Sequence, residues 1–308
     1  MKLNNMQRKI IKLKEEKNAL LLVHNYQIPE IQVIADYMGD SLGLCREAQK
    51  AEDKEIIVFC GVDFMAETAA ILNPDKKVVL PSHLACCPMA GMLPTSELKK
   101  AKESHPGVPV VLYVNTLAEA KAEATVTCTS ANAAEIVSKL GSDEVIFGPD
   151  KNLAYYVSKQ VPEVRLIVVP EEGHCNVHRF LGKGVEALEL KKKYPDAELW
   201  VHPECEPEFQ DVADFIMSTG GMVRRVNESN ANTFIVGTEN GLIERLKREH
   251  PEKTFLPVKE NAICAAMKRI NLDNLYLSLL NEEPEVKIAE DIASKARKSI
   301  ELMLELSS

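Results

Sequence analysis

The sequence predicts an α/β protein made of three α/β/α sandwich domains. Their small parallel sheets are related by pseudo-threefold symmetry around a central cavity. Three observations predict this. Short apolar runs alternate with helical stretches along all 308 residues, the pattern of parallel strands joined by crossover helices. The same order of strand-like runs occurs three times, at offsets close to 89 residues. Glycines, hydroxyls and cysteines recur at matching places in each copy, which hydrophobic rhythm alone does not fix.

Taken in order, MKLNNMQRKIIKLKEEKN (1–18) reads as an amphipathic helix, with Ile10, Ile11 and Leu13 on one side. It has no apolar signal core, and no later run approaches the ~18 apolar residues of a membrane helix. The expectation is a cytoplasmic protein without membrane partners. The first strand, ALLLVHNY (19–26), has counterparts in PVVLYVN (109–115) and ELWVHPE (198–204). His24, Tyr113 and His202 stand 89 residues apart, and so do Tyr26, Asn115 and Glu204. The second, ADYMGDS (35–41), matches ATVTCTS (124–130) and ADFIMST (213–219), with Ser41, Ser130 and Thr219 in register. The third, IIVFCGVD (56–63), matches EVIFGPD (144–150) and TFIVGTE (233–239), with Gly61, Gly148 and Gly237 at steps of 87 and 89. The fourth set, KVVLP (77–81), RLIVVP (165–170) and TFLP (254–257), ends each time at proline. The units are expected at 1–95, 96–183 and 184–285. NEEPEVK (281–287) is expected as a linker, and a helix within 286–308 is expected to pack back on the first unit beside residues 1–17.

Net charge is −9 with no basic stripe, which argues against nucleic acid as a partner. Eight cysteines in a reducing compartment do not imply a disulfide framework, and Cys45, Cys60 and Cys128 fit core positions. Ligands of parallel sheets bind at the carboxyl ends of strands, where His24, Tyr26, Tyr113, Asn115, His202 and Glu204 all lie. HNYQ (24–27) therefore leaves the core because its strand opens into a shared cavity, where its polar groups meet a ligand. Ser41, Ser130 and Thr219 each follow a short strand at an N-cap position. Three helix starts around one point would bind phosphate or carboxylate.

Each unit also carries a cysteine loop after its fourth strand: SHLACCPMAG (82–91), EEGHCNVH (171–178) and KENAICAAMK (259–268). Three thiolates facing one point make a metal site. Spacing alone does not separate zinc from an iron–sulfur cluster, although CxxC is absent from these loops. Uniform steps of 89 select Cys86, Cys175 and Cys264.

The motifs HNYQIPEIQVIADYMGDSLGL, GVDFMAET, CPMA, PVVLYVNT, TSANA, IFGPDKNL, GHCNVH, VHPEC, STGGM and CAAMK resemble those of the quinolinate synthases, in that family's order, from about residue 22 to 270. The resemblance implies three α/β/α domains around a central cavity. It implies condensation of iminoaspartate with dihydroxyacetone phosphate to quinolinate, with loss of phosphate and two waters, and it raises the expectation of an enzyme partner that supplies iminoaspartate. It implies a [4Fe–4S] cluster on Cys87, Cys175 and Cys264, because the family's first cysteine directly precedes Pro-Met-Ala. The iron left without a cysteine would act as a Lewis acid on a hydroxyl or carboxylate oxygen. Tyr26 is implied as a proton-transfer group, and Glu204 as general base, a role that a raised pKa would serve. His24 and His202 are implied to hydrogen-bond the substrate or move protons. Tyr113 and Asn115 orient a carboxylate, and Ser41, Ser130, Ser218 and Thr219 hold carboxylate or phosphate. Met65 forms cavity wall, and Asp40 is an N-cap or an orienting acid. His178 and Lys268, beside cluster cysteines, receive no chemical step. Two rivals share these features: another cluster-dependent hydro-lyase, and a non-enzymatic, metal-stapled metabolite sensor.

Overall fold

The computed structural model describes residues 3–307. It is α/β, with three four-stranded sheets in which every strand pair is parallel. The first sheet holds β1 (Ala19–His24), β2 (Tyr37–Gly39), β3 (Ile56–Cys60) and β4 (Lys77–Val79). The second holds β5 (Val110–Tyr113), β6 (Val126–Cys128), β7 (Glu144–Gly148) and β8 (Arg165–Val168). The third holds β9 (Glu198–Val201), β10 (Phe215–Ile216), β11 (Thr233–Gly237) and β12 (Thr254–Pro257). The spatial order is the same in all three: second, first, third, fourth. Helices cover both faces, so β3 and β5 are buried along their whole length and read as unbroken apolar runs.

Repeated sequence features now have local causes. A Cβ at Gly148 would lie 1.9 Å from the Val169 carbonyl oxygen, so only glycine lets the chain after β8 pass that close. The first helix spans Asn5–Glu16 and buries Ile10 completely. Its capping box is reciprocal: Asn4 accepts from the Gln7 N–H at 2.9 Å, and the Gln7 side chain accepts from the Asn4 N–H at 2.8 Å. Cys45, Cys60 and Cys128 are buried.

The seams between units differ. One apolar cluster runs through the first and second units, whereas the third sheet packs its faces in clusters of its own. The terminal helix, Glu290–Leu306, departs from expectation. It bridges the first two units: Thr127 Oγ1 donates to the Ser299 carbonyl at 3.2 Å, Ser299 Oγ to the Lys121 carbonyl at 3.0 Å, and Arg297 Nε to the Ile71 carbonyl at 2.7 Å. The helix that packs beside Asn5–Glu16 is instead Leu272–Asn281. The linker is partly ordered against β4. Leu80 N–H donates to Pro284 at 3.2 Å and Val286 N–H to Val78 at 2.8 Å, which covers an exposed sheet edge.

Candidate functional site

The first strands of the three sheets aim their carboxyl ends at one inner cavity of about 60 Å³. After β1 the chain turns, with the Gln27 N–H donating to the His24 carbonyl at 3.0 Å. His24 and Tyr26 face the cavity. Asn25 and Gln27 do not, which corrects the expectation that all of HNYQ meets a ligand. Asn25 Nδ2 donates to Thr219 Oγ1 at 2.9 Å, Asn25 Oδ1 accepts from Arg245 at 2.6 Å, and Gln27 Nε2 donates to the Met267 carbonyl at 2.9 Å. Those two residues tie the first unit to the third.

Every other residue singled out from the sequence is placed as follows. Asp40, Ser41, Met65, Tyr113, Asn115, Ser130, His202, Glu204 and Thr219 line the cavity with His24 and Tyr26. Ser218 does not line it. Its Oγ accepts from the Gly221 N–H at 3.2 Å and donates to Asp40 Oδ2 at 2.9 Å. The cap positions shift by one. Asp40 caps the helix Ser41–Gln49 by accepting from the Gly43 N–H at 3.0 Å, and Ser218 caps the helix Thr219–Glu228. Ser41 and Thr219 are first helical residues, so neither hydroxyl is used as the cap. Ser130 lies in a turn before the helix Ala133–Lys139, which has no side-chain cap.

Two histidines have fixed tautomers. His24 Nδ1 accepts the Tyr26 N–H at 3.2 Å, and His202 Nδ1 accepts the Glu204 N–H at 3.3 Å. A ring nitrogen that accepts carries no proton, so each neutral ring is protonated at Nε2. Burial lowers His24 to about 4. Burial and the neighbouring His178 lower His202 to about 3. Both rings are neutral N–H donors at pH 7.

Glu204 behaves otherwise than expected. Burial pushes its carboxyl up, but the His178 imidazole beside it, helped by the Tyr113 hydroxyl, outweighs that and lowers it below the usual carboxylate range. The shift is thus opposite to the raised pKa expected, and it favours an anionic Glu204. His178 Nδ1 lies 2.6 Å from Glu204 Oε2, and its Nε2 lies 2.9 Å from Thr238 Oγ1. Thr238 Oγ1 is in turn 2.7 Å from the Tyr26 hydroxyl. Hydrogen bonds thus join Tyr26 to His178 through Thr238, and Glu204 lies in ion-pair contact with the far side of the His178 ring. Asn115 Nδ2 donates to the other Glu204 oxygen at 3.2 Å. Burial and the Glu204 charge raise Tyr26 well above a free phenol.

At one end of the inner cavity stand Cys87, Cys175 and Cys264. The same three line an outer cavity of about 220 Å³, so they form the wall between the two spaces. Cys86 lines neither; it is exposed, with its Sγ directed to the His83 carbonyl at 3.2 Å. Two of the lining cysteines are held by carboxylates at equivalent places in the repeat: Cys87 N–H donates to Asp63 at 3.0 Å and Cys264 N–H to Glu239 at 3.0 Å. Asp150 stands at the matching place in the second unit, where it accepts from the Leu153 N–H at 2.7 Å. Desolvation raises all three thiols, and neighbouring cysteines add to it at Cys87 and Cys175. Three converging thiols held at raised pKa become stable thiolates when a metal group supplies the countercharge. The donor set fits such a group.

The profile of the family described as Quinolinate synthetase A protein matches residues 8–305. A quinolinate synthase of Thermococcus onnurineus is 56% identical over 308 residues, covering 100% of both chains. One of Methanothermobacter thermautotrophicus is 54% identical over 305 residues, covering 99% of both. One of Pyrococcus abyssi is 56% identical over 299 residues, covering 97% of this chain and 98% of its own. The chain belongs to the quinolinate synthase family. It is an enzyme of NAD biosynthesis, and membership implies small-molecule substrates and a metal cofactor. Among the described residues, no helix is long and apolar enough to cross a membrane.

Sequence reasoning missed His178 and Thr238. Within this quinolinate synthase repeat, His178 is in register with Met89 and Met267, each 89 residues away, and both methionines line the inner cavity. Thr238 is in register with Val62 and Pro149. A polar residue at a position otherwise apolar was the signal. Lys268 bridges units: its Nζ lies 2.7 Å from Glu239 and also donates to the Tyr26 carbonyl.

Proposed function

We propose that the chain condenses iminoaspartate with dihydroxyacetone phosphate to quinolinate, with loss of phosphate and two waters. A [4Fe–4S] cluster would be held by Cys87, Cys175 and Cys264. The observation that carries this reading is the position of these three cysteines, one per unit, on the wall between the outer and inner cavities. When bound through three cysteines, such a cluster keeps one iron with an open position, which supplies Lewis-acid chemistry toward a hydroxyl or carboxylate oxygen.

The protein's own groups do the rest. His24 and His202 donate Nε2–H bonds to substrate oxygens and, being neutral, do not compete for carboxylate protons. Tyr113 and Asn115 orient a carboxylate. Ser41, Ser130 and Thr219 bind phosphate or carboxylate beside the starts of the Ser41 and Thr219 helices, whose free N–H groups favour anions. Met65 closes the wall. Asp40 and Ser218 brace the first unit against the third.

Tyr26 is the residue that exchanges protons with the substrate. As base it passes its hydroxyl proton to Thr238, whose own proton moves to His178 Nε2. Glu204, 2.6 Å from His178 Nδ1, then stabilises the imidazolium charge. As acid the sequence reverses. Glu204 serves as the anion that orients His178, and the proton resides on the imidazole. A positioned acid–base group of this kind contributes typically 10²–10⁴-fold.

A second reading has an observation in its favour. Ligand atoms of Cys175, His178 and Glu204 lie within 4.8 Å of one another, as for a single bound ion. The 2.6 Å between His178 Nδ1 and Glu204 Oε2 argues against it. Two ligands bonded at ~2.0–2.1 Å to a tetrahedral zinc stand about 3.3 Å apart, well beyond the separation of these two atoms.

The test is an anaerobic preparation with iron and sulfide counted per chain. Iminoaspartate and dihydroxyacetone phosphate are then added, and quinolinate is sought by mass. About four irons per chain with product is expected. Iron without product would favour another hydro-lyase or a sensor, and zinc without product would remove both cluster readings.

A further inference from the structure

Away from the cysteines, a cleft of about 630 Å³ lies where the three units meet. Its walls come from matched places in the repeat. Leu42, Ala131 and Gly220 form one level, and Arg46, Glu135 and Arg224 the next, each set at steps of 89 residues. Asp40 lines both this cleft and the inner cavity, and the Ser218–Asp40 hydrogen bond closes the first unit onto the third there. The inner cavity, at about 60 Å³, is closed down between this junction and the cysteine wall.

Charge in the cleft is arranged unevenly. Lys50 is neutralised by Glu47 at 2.9 Å, and Arg245 by Glu249 at 2.9 Å. Arg46 donates one bond to the Ser307 carbonyl at 2.6 Å. Arg224 is exposed and has no hydrogen bond or ion pair among the described residues. Two of the three matched positions are thus arginines, and one of them is uncommitted. The whole chain carries −9, so an incoming dianion is repelled at long range. Glu135, the third matched position, is paired with Lys139 at 2.6 Å, so the two arginines give the cleft a local cationic field that offsets that repulsion.

We propose that this cleft is a capture site for the phosphorylated substrate. Arg224 and Arg46 receive its phosphate dianion before it passes Asp40. The identity of the phosphate ester rests on the function proposed above; the affinity of the cleft for phosphate does not. Guanidinium groups suit the task, since their planar donors match phosphate oxygens in pairs.

The experiment titrates inorganic phosphate into the cluster-loaded chain and measures kcat/KM for dihydroxyacetone phosphate at low and high salt. Arg224→Ala is expected to weaken phosphate binding about fivefold and to lower kcat/KM about tenfold at low ionic strength. Both deficits shrink to under about twofold in ~0.5 M salt, where the Debye length is only a few ångströms. Glu135→Gln shifts both quantities the other way, by about two- to threefold. Lys192→Ala, exposed on another face, moves neither. Phosphate binding unchanged in Arg224→Ala at low salt overturns the proposal, as does a deficit that salt does not reduce. If the wild type forms no quinolinate, the functional reading fails while the phosphate titration still decides the capture site.

Discussion

The two ends of the pseudo-threefold axis differ in how closely they keep the symmetry of the repeat. At the cysteine end the three units supply the same parts: one thiol each, with a carboxylate at a matched place, and Asp63 and Glu239 accept from the backbones of Cys87 and Cys264. At the other end the helix starts have diverged. Asp40 caps one, Ser218 caps another, and Ser130 sits in a turn before the third. The symmetric end suits a ligand that accepts three identical bonds, as a cubane cluster does. The divergent end suits substrates with no symmetry, which need different groups at each approach. His178 and Thr238 lie between, where departures from the repeat place an asymmetric imidazole and hydroxyl, the proposed proton path, beneath a symmetric wall.

The largest expected effect breaks the symmetric end. Cys264→Ser should lower bound iron from about four per chain to near zero. Cys86→Ser should leave iron content as in the wild type. Loss of iron in Cys86→Ser alone would move the first ligand to the other cysteine.

Breaking the asymmetric part should spare the metal and cost turnover. Tyr26→Phe, Thr238→Val and His178→Gln should each reduce quinolinate formation by ~10²–10⁴ while iron content stays near wild type. Because they interrupt one relay, the double variant Tyr26→Phe/Thr238→Val should be little worse than either alone. Multiplying losses would show that Tyr26 acts without Thr238.

A smaller effect concerns acid. His24 is held at about 4 in the folded chain against an ordinary 6.5, so the unfolded chain binds the extra proton between those values. Stability from this residue is complete above pH 6.5 and is lost as pH falls through 6.5 toward 4, by about 3 kcal/mol in all. Denaturant melts of the metal-free chain across that range check it, and His24→Gln should flatten the decline.

The smallest separates the cysteine cradles. Asp63→Ala leaves the Cys87 N–H without its acceptor, a cost of about 1–3 kcal/mol, and should shorten cluster lifetime under chelator. Asp63→Asn keeps an acceptor oxygen and should restore most of it.

Much of this was legible in the sequence because the chain states it three times. Strand order, the inward ends of the first strands and the cysteine loops all follow from residues at fixed offsets. The relay was hidden by the same repetition. His178 and Thr238 fall where the other units carry Met89, Met267, Val62 and Pro149, so matching across copies passed over them. The pKa of Glu204 depends on an imidazole from another unit, a purely tertiary contact. Asn25 and Gln27 point away from the cavity because the chain turns directly after His24. Which surface they met depended on how the third unit docks. The terminal helix was misplaced for a similar reason: its apolar face fits more than one groove, and Thr127 and Ser299 decide between them.

The most direct measurement is a crystal structure of the anaerobically iron-loaded chain with anomalous scattering at the iron edge. Iron density bonded to Cys87, Cys175 and Cys264, with one iron turned toward His24, Tyr26 and Glu204, is the expected result. A single metal ion bonded to Cys175, His178 and Glu204, with Cys87 and Cys264 unbound, would contradict it.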